Sequence, residues 1–509
     1  MALSGTVHRT IADAGGESLG GLRSVRYSYD PMRAWALRNW IFVVIAVTYA
    51  YFYQGGDMNT NVRLALTRSI VERHALDVTP YHTLSIDNGY FQGKYYSDKA
   101  PGISLLATVP YGLMRAAEKL AHLDPDQPAI RAARVHALVF LFAVVPGVVA
   151  AALLRWAAER LSISTPTATL LTVGYAWGTS AFAYSTMLFG HQLSAALVLG
   201  AFCLLLQMDR AEKPGGTLVL FGALISWAWI VEYPTAFLSI VLGCSLLANT
   251  APRAWLRTVA WIFLGATPAL AVHALYAFLC YGSPLALPYQ FVVEPVFRSH
   301  TSSGLFGIGI PTRDGLVGIS VSAYRGLFFY CPWLILVFAG FGHWIRRGTS
   351  PRAAKSVLAL IALHVTFAAS YYAWDGGLAT GPRHLVPLLP FLILPIAYFA
   401  DRGRWQTLVT GLAILVSMLI MLPIVAVTPL LPFGDPIRTN PLYAYVLPAL
   451  VRGELANNWI DPYAAGAHRD VSYNLGQLAG LPAYLSLWLP LAACVGTWGV
   501  SVRRAMARS

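Results

Sequence analysis

The chain has 509 residues, of which 57% are hydrophobic and 12% charged, with a net charge of +13. A soluble domain carries about a quarter charged residues, so this composition excludes one; apolar runs of about 20 residues recur throughout, as spanning helices require. The fold class expected is therefore an all-α polytopic membrane protein.

In a soluble protein such a basic balance would suggest nucleic acid. Here the Arg and Lys residues fall in short loops between apolar runs, where they set orientation, and no nucleic-acid partner is expected.

Residues 1–35 are rich in Gly, Ser and Arg and read as a cytoplasmic N-terminal tail. They lack the compact charged-then-apolar pattern of a removed signal peptide. A first span is predicted at 36–53, and a polar first loop, 54–134, follows it. Asp57 opens the segment DMNTNVRLALTRSIVER. Val62, Leu66 and Ile70 fall on one helical face, and Asn59, Arg63 and Thr67 on another. Two readings of Asp57 stand side by side. Asp is a favoured N-cap, and a carboxylate held at a membrane edge also suits a general base.

The loop ends in GKYYSDKAPG, residues 93–102. Pro101 suits the first turn of a helix, whose free amides together with Lys99 suit a phosphate. In the structural reading, Tyr95 and Tyr96 form an interfacial belt and Asp98 neutralises Lys99.

Residues 102–120 carry Pro110, Arg115, Glu118 and Lys119, and loop charge decides their placement. If this segment does not cross, one set of loops shares a side with Arg23, Arg26, Arg33 and Arg38. That set carries Arg155/Arg160, Arg210/Lys213, Arg253/Arg257, Arg346/Arg347/Arg352/Lys355, Arg402/Arg404 and Arg503/Arg504/Arg508, which is the positive-inside pattern with a cytoplasmic N-terminus. The segment is thus read as a re-entrant or juxtamembrane helix, and the chain as having about twelve spans.

The remaining spans are predicted at 133–154, 166–186, 189–208, 217–233, 235–249, 258–280, 327–345, 355–373, 383–400, 407–427 and 481–502. The membrane domain covers 36–502, with further outer loops at 281–326 and 428–480 and a cytoplasmic tail at 503–509. Unusual polar residues then collect on one side, the outer one.

Among them are His191 in LFGHQ and Glu232 in VEYP. A lone His is more often hydrogen-bonded structure than a ligand, and Glu232 reads as an ion-pair partner. Loop 281–326 reads as a lid or acceptor contact. Arg325 enters a span in SAYRGLFFYCPW, and WDGGLATGPRHLVPLLP brings Asp375, Arg383 and His384 to a glycine-rich turn. Arg can grip a phosphate there, or simply snorkel at a helix end. The five cysteines show no metal-ligand spacing. Cys280 and Cys331 bracket one loop and can pair in an oxidising compartment, although free buried thiols are the favoured reading. No zinc-hydrolase, P-loop or serine-nucleophile motif is present.

The acidic residue just after the first span, the amphipathic helix and YYSDKAPG together resemble the GT-C superfamily of membrane glycosyltransferases. Within that superfamily, YYSDKAPG is similar to the tyrosine-rich, Lys-Pro-Pro-ended segment of lipid A aminoarabinose transferases and protein O-mannosyltransferases. The resemblance covers 36–250 in layout and 54–102 in specific residues. Met58 departs from it where a second acid is frequent, Lys99-Ala100-Pro101 replaces Lys-Pro-Pro, and no large soluble domain is expected after 502.

What the resemblance implies is a GT-C-like fold with a large first periplasmic loop containing juxtamembrane helices. It also implies inverting sugar transfer from a polyprenyl-phosphate donor to a lipid, glycan or protein acceptor. Asp57 stands as catalytic base and Lys99 as phosphate contact, joined by Arg325, Arg383 and His384. Arg63, Tyr95, Tyr96, Asp98, His191, Glu232 and Asp375 are further candidates, and either Asp57 or Asp98 can be the base. No cofactor is expected; a divalent metal is compatible with the superfamily, but no ligands are assigned. The location implied is a bacterial inner membrane, in contact with membrane lipids, with the site on the periplasmic or extracellular side. Alternatives are an O-antigen polymerase or ligase, a transporter or flippase of lipid-linked sugars, and a non-catalytic assembly subunit.

Overall fold

The computed structural model describes residues 31–208, 214–301, 304–347, 349–432, 434–435, 437–456 and 472–508. The tail expected at 1–35 lies outside the described residues as far as residue 30, as do residues 457–471 of the loop expected at 428–480. Residues 31–40, the start of helix α1 (Pro31–Ala50), fall in a small unit of their own, and the elements from Ile41 onward form a second.

Among the described residues, seven helices are long and apolar enough to cross a membrane: Pro128–Arg160, His191–Met208, Pro252–Tyr281, Pro351–Ser370, Arg383–Ala400, Arg404–Val427 and Leu485–Arg508. The other predicted spans also fall on helical backbone, but as shorter or broken helices, and proline explains two of the breaks. Pro332 takes Cys331 out of helical geometry (φ −131°, ψ 63°), so the span expected at 327–345 is split into Leu327–Tyr330 and Val337–Arg347. Gly215–Val231 ends at Glu232, which is extended (φ −146°, ψ 106°), and Pro234, which has no amide to give and whose ring cannot sit in a continuing helix, follows before the next helix, Ala236–Ala248. At the C-terminal end, where a tail was expected from 503, the helix Trp488–Arg508 continues, as its run of good helix formers favours.

After α1 comes the short strand β1 (Phe52–Tyr53), then helix α2 (Met58–Arg73). A hairpin of β2 (Asn88–Phe91) and β3 (Lys94–Ser97) turns through Gln92-Gly93, both at positive φ as a two-residue hairpin turn requires. Helix α3 (Gly102–Leu120) follows and packs on α2. Glu72 of α2 accepts hydrogen bonds from Tyr111 (2.7 Å) and Arg115 (2.9 Å) of α3, and from Arg68 (2.7 Å) on its own helix.

Both ends of α3 lie with the loop cluster described next. Ala100, just before it, is held by Arg63 of α2, while Glu118 near its end pairs with Arg134 at 3.0 Å. Two residues further along the helix from Arg134, His136 bonds the Tyr473 hydroxyl at 2.9 Å and stacks on Tyr53. The polar face of α2, however, is not exposed: Asn59, Arg63 and Thr67 are buried along with Val62 and Leu66, because each finds an internal partner.

The loops join one another in a chain of short backbone pairings. β1 pairs with β4 (Tyr473–Asn474), Gly89 with Val292, Ile308 with Tyr371, and Ala379 with Leu430. A separate set meets elsewhere: Ser164 and Thr167 donate to Asp401 at 2.6 and 2.9 Å, and Arg402 contacts His343.

Candidate active site

The site forms where the start of α2, the hairpin, the turn at Glu232 and the 374–384 turn converge. Asp57 caps α2 from extended backbone (φ −136°, ψ 173°). Its carboxylate accepts from the amides of Asn59 (2.8 Å) and Thr60 (3.2 Å) and from the Thr60 hydroxyl (2.6 Å). Asp57 is 3% exposed. Burial outweighs those three donors and, with a smaller push from Asp87, raises its pKa from 3.8 to about 6. The capping reading of Asp57 is thus seen directly, and the cap fixes the orientation of a carboxyl group whose proton affinity suits a base near neutral pH.

Lys99 lies between two carboxylates, 3.0 Å from Asp98 Oδ1 and 3.2 Å from Asp87 Oδ2. The hairpin register creates this arrangement. Asn88 pairs with Ser97, so the next residues outward, Asp87 and Asp98, face each other, and the Asp98 amide donates to the Asp87 carbonyl at 3.3 Å. Burial works against the ammonium, but Asp87 and then Asp98 outweigh it and hold Lys99 above the ordinary lysine value. Burial raises the Asp98 pKa, against the opposing pull of Lys99. Asp87 was absent from the sequence candidates; the Gln92-Gly93 turn between two aromatic strands was the signal that could have placed it across from Asp98.

Arg63 is fully buried and ties three segments together. It donates to Asn59 Oδ1 (2.7 Å), to the Ala100 carbonyl (3.3 Å) and to Glu232 Oε1 (2.7 Å). The same Glu232 oxygen accepts the Gly190 amide at 3.1 Å and lies 3.7 Å from His191 Nδ1. Glu232 is therefore the ion-pair partner that its sequence context suggested.

Arg383 is the cation left over. Its side chain crosses Gly376, where a Cβ would meet Arg383 Cγ at 2.7 Å, and Gly376 itself sits at φ 70°. Among the described residues Arg383 has no hydrogen-bond or ion-pair partner, yet its charge reaches Tyr184, Asp87, Glu232, Tyr371 and Lys99.

The other sequence candidates hold structure. Arg325, expected to grip phosphate, donates to the carbonyls of Asp375 (2.9 Å), Tyr324 (3.3 Å) and Gly377, and its guanidinium stacks on the Tyr324 ring at 3.9 Å. Its fork thus braces the turn that carries Arg383. His384 bonds the Ala373 carbonyl at 3.1 Å, and Asp375 accepts the Gly377 amide at 3.2 Å, so both shape that same turn. Tyr96 is buried against Tyr281 at 5.3 Å, and Tyr95 stacks on His82 at 4.2 Å. Tyr96 is therefore core and not an interfacial belt. Cys280 and Cys331 are free buried thiols. Among the described residues no group of three His, Cys, Asp or Glu side chains is placed to hold a metal ion.

No family model matches the chain, and no curated protein matches it in sequence. Among solved structures it is similar to ArnT from Cupriavidus metallidurans bound to undecaprenyl phosphate, with 14% identity and a TM-score of 0.49 over 93% of this chain and 78% of that one. It is also similar to the Archaeoglobus fulgidus oligosaccharyltransferase in complex with Zn and sulfate, with 12% identity and a TM-score of 0.46 over 75% of this chain and 51% of that one. Archaeal AglB from the same organism, in complex with an inhibitory peptide and a dolichol-phosphate, gives 12% and 0.46 over 93% and 56%. ArnT and AglB both belong to the GT-C superfamily.

Proposed function

We propose that this chain is an inverting glycosyltransferase. It moves a sugar from a polyprenyl-phosphate donor to a lipid, glycan or protein acceptor on the outer face of a bacterial inner membrane. The observation that carries the reading is the convergence of Lys99 and of Arg383, which has no partner among the described residues, on a site that also holds the buried carboxyl of Asp57. A cation without a partner beside buried acids is costly to keep unless an anion completes it.

In this reading the donor's phosphate meets Arg383 and draws Lys99 from its carboxylates. As the bond from the anomeric carbon to the phosphate oxygen breaks, the two cations stabilise the charge growing on the leaving phosphate. The acceptor oxygen attacks the anomeric carbon from the opposite face, and its proton passes to Asp57. Products are the glycosylated acceptor and the polyprenyl phosphate. Arg325, His384 and Asp375 hold the turn from which Arg383 projects. A transporter would place its polar residues at mid-span between paired halves, whereas here they gather where loops meet.

The test is sugar transfer from a mixture of polyprenyl-phosphate sugars by purified protein. Lys99→Ala and Arg383→Ala are each expected to lower turnover by about a hundredfold or more, the scale seen on removing one group that stabilises transition-state charge. Wild-type turnover in both variants, or no transfer by the wild type, would refute the assignment.

A further inference from the structure

Beside the phosphate clamp lies a set of polar atoms that the chemistry above does not use. Glu232 binds Arg63 and Gly190 through Oε1 alone, so Oε2 has no hydrogen-bond partner among the described residues. His191 is 5% exposed, and its Nδ1 is buried without a hydrogen bond. The Tyr233 hydroxyl is likewise buried and unpartnered, although the residue is only 7% exposed. That hydroxyl lies within electrostatic reach of Arg63, Asp98 and Glu232, and the His191 ring within reach of Arg383 and Arg63. Tyr289, packed edge-on against Tyr233 at 5.6 Å, adds a half-buried ring that feels Glu232, Asp98 and Arg383.

Leaving such atoms unsatisfied is costly for a buried polar group, so the His191 nitrogen and the Tyr233 hydroxyl, next to a Glu232 oxygen that is free to accept, point to a ligand that satisfies all three. The donor–acceptor inventory narrows its chemistry. A carboxylate oxygen accepts only, a tyrosine hydroxyl both donates and accepts, and an imidazole does one at each nitrogen. A phosphate diester offers acceptors alone and would be repelled by Glu232. A ring bearing several hydroxyls matches all three, and aromatic rings beside it suit the apolar faces of a sugar.

We infer that Glu232, Tyr233 and His191 form the subsite that holds the hydroxyls of the transferred sugar. This rests on the polyprenyl-phosphate reading above. Arg63 sets the spacing, because it binds Glu232 on one side and the Ala100 carbonyl, next to Lys99, on the other. The subsite is thereby fixed relative to the phosphate clamp through one guanidinium.

The experiment compares binding of sugar-free undecaprenyl phosphate with binding of its glucosyl, mannosyl, galactosyl and arabinosyl derivatives in detergent. Wild-type protein should bind at least one sugar-bearing lipid more than tenfold tighter than the sugar-free lipid. Tyr233→Phe keeps the ring and its packing and should cut that preference by about tenfold, the equivalent of one lost hydrogen bond, with the sugar-free affinity unchanged. Full preference in Tyr233→Phe, equal weakening toward both lipids, or no wild-type preference overturns the subsite while leaving the clamp intact. Failure of the wild type to bind any of these lipids overturns the donor assignment and the subsite together.

Discussion

Replacing Asp57 by Asn separates its two roles, because Asn caps a helix as well as Asp does but is no base. The carboxyl pKa rises from 3.8 to about 6 on burial, which corresponds to about 3 kcal/mol against the ionised form. The sign follows from linkage. The folded value lies above the unfolded one, so the group's stabilising contribution is complete below pH 3.8 and is lost as pH rises through about 6. Asn carries no such penalty. The variant should therefore be more stable than wild type by up to about 3 kcal/mol at pH 7, and the difference should shrink as pH falls from 6 toward 4. Transfer activity should fall by about 10² to 10⁴. Thermal unfolding in detergent at pH 7 and pH 4.5, together with a turnover assay, reads both quantities. Since the variant gains stability, lost activity cannot be put down to unfolding. Full activity in Asp57→Asn would remove the general base and leave Asp57 as a cap alone.

Two further outcomes follow from the same geometry. Gly190→Ala places a methyl group against the Glu232 carboxylate; Glu232 must then release the buried Arg63, and a loss of about 3 kcal/mol is expected in thermal unfolding. Asp87→Asn removes a negative charge that helps to raise the Asp57 pKa, so the acidic limb of the profile of kcat/KM against pH should move to lower pH; an unmoved limb would show that the two acids are uncoupled.

The residues legible in sequence were those whose role depends on near neighbours. Asp57 as a cap follows from the helix it starts, and Asp98 beside Lys99 from adjacency. What escaped depended on distant partners. The polar face of α2 is buried because Arg63 pairs with a glutamate 169 positions away, and no helical periodicity records that. Asp87 became visible only through the register of a hairpin. Arg325 and His384 shared with Arg383 a basic or imidazole group at the start of a span. They differ in the carbonyls of Ala373, Asp375 and Gly377 that point at the first two, a property of the folded turn rather than of composition.

The pairing of β1 with β4 bears on how the protein is made. Phe52 and Tyr53 lie just before Asp57 and find their strand partners only at Tyr473–Asn474, and the Gly55 amide binds Ser472 Oγ across 417 positions. The stretch that leads into Asp57 is therefore made long before the segment that secures it. A nascent chain that has not yet reached Ser472 would hold the intervening helices but leave that stretch unanchored, so the cap residue of α2 takes its final place only after those helices have been made.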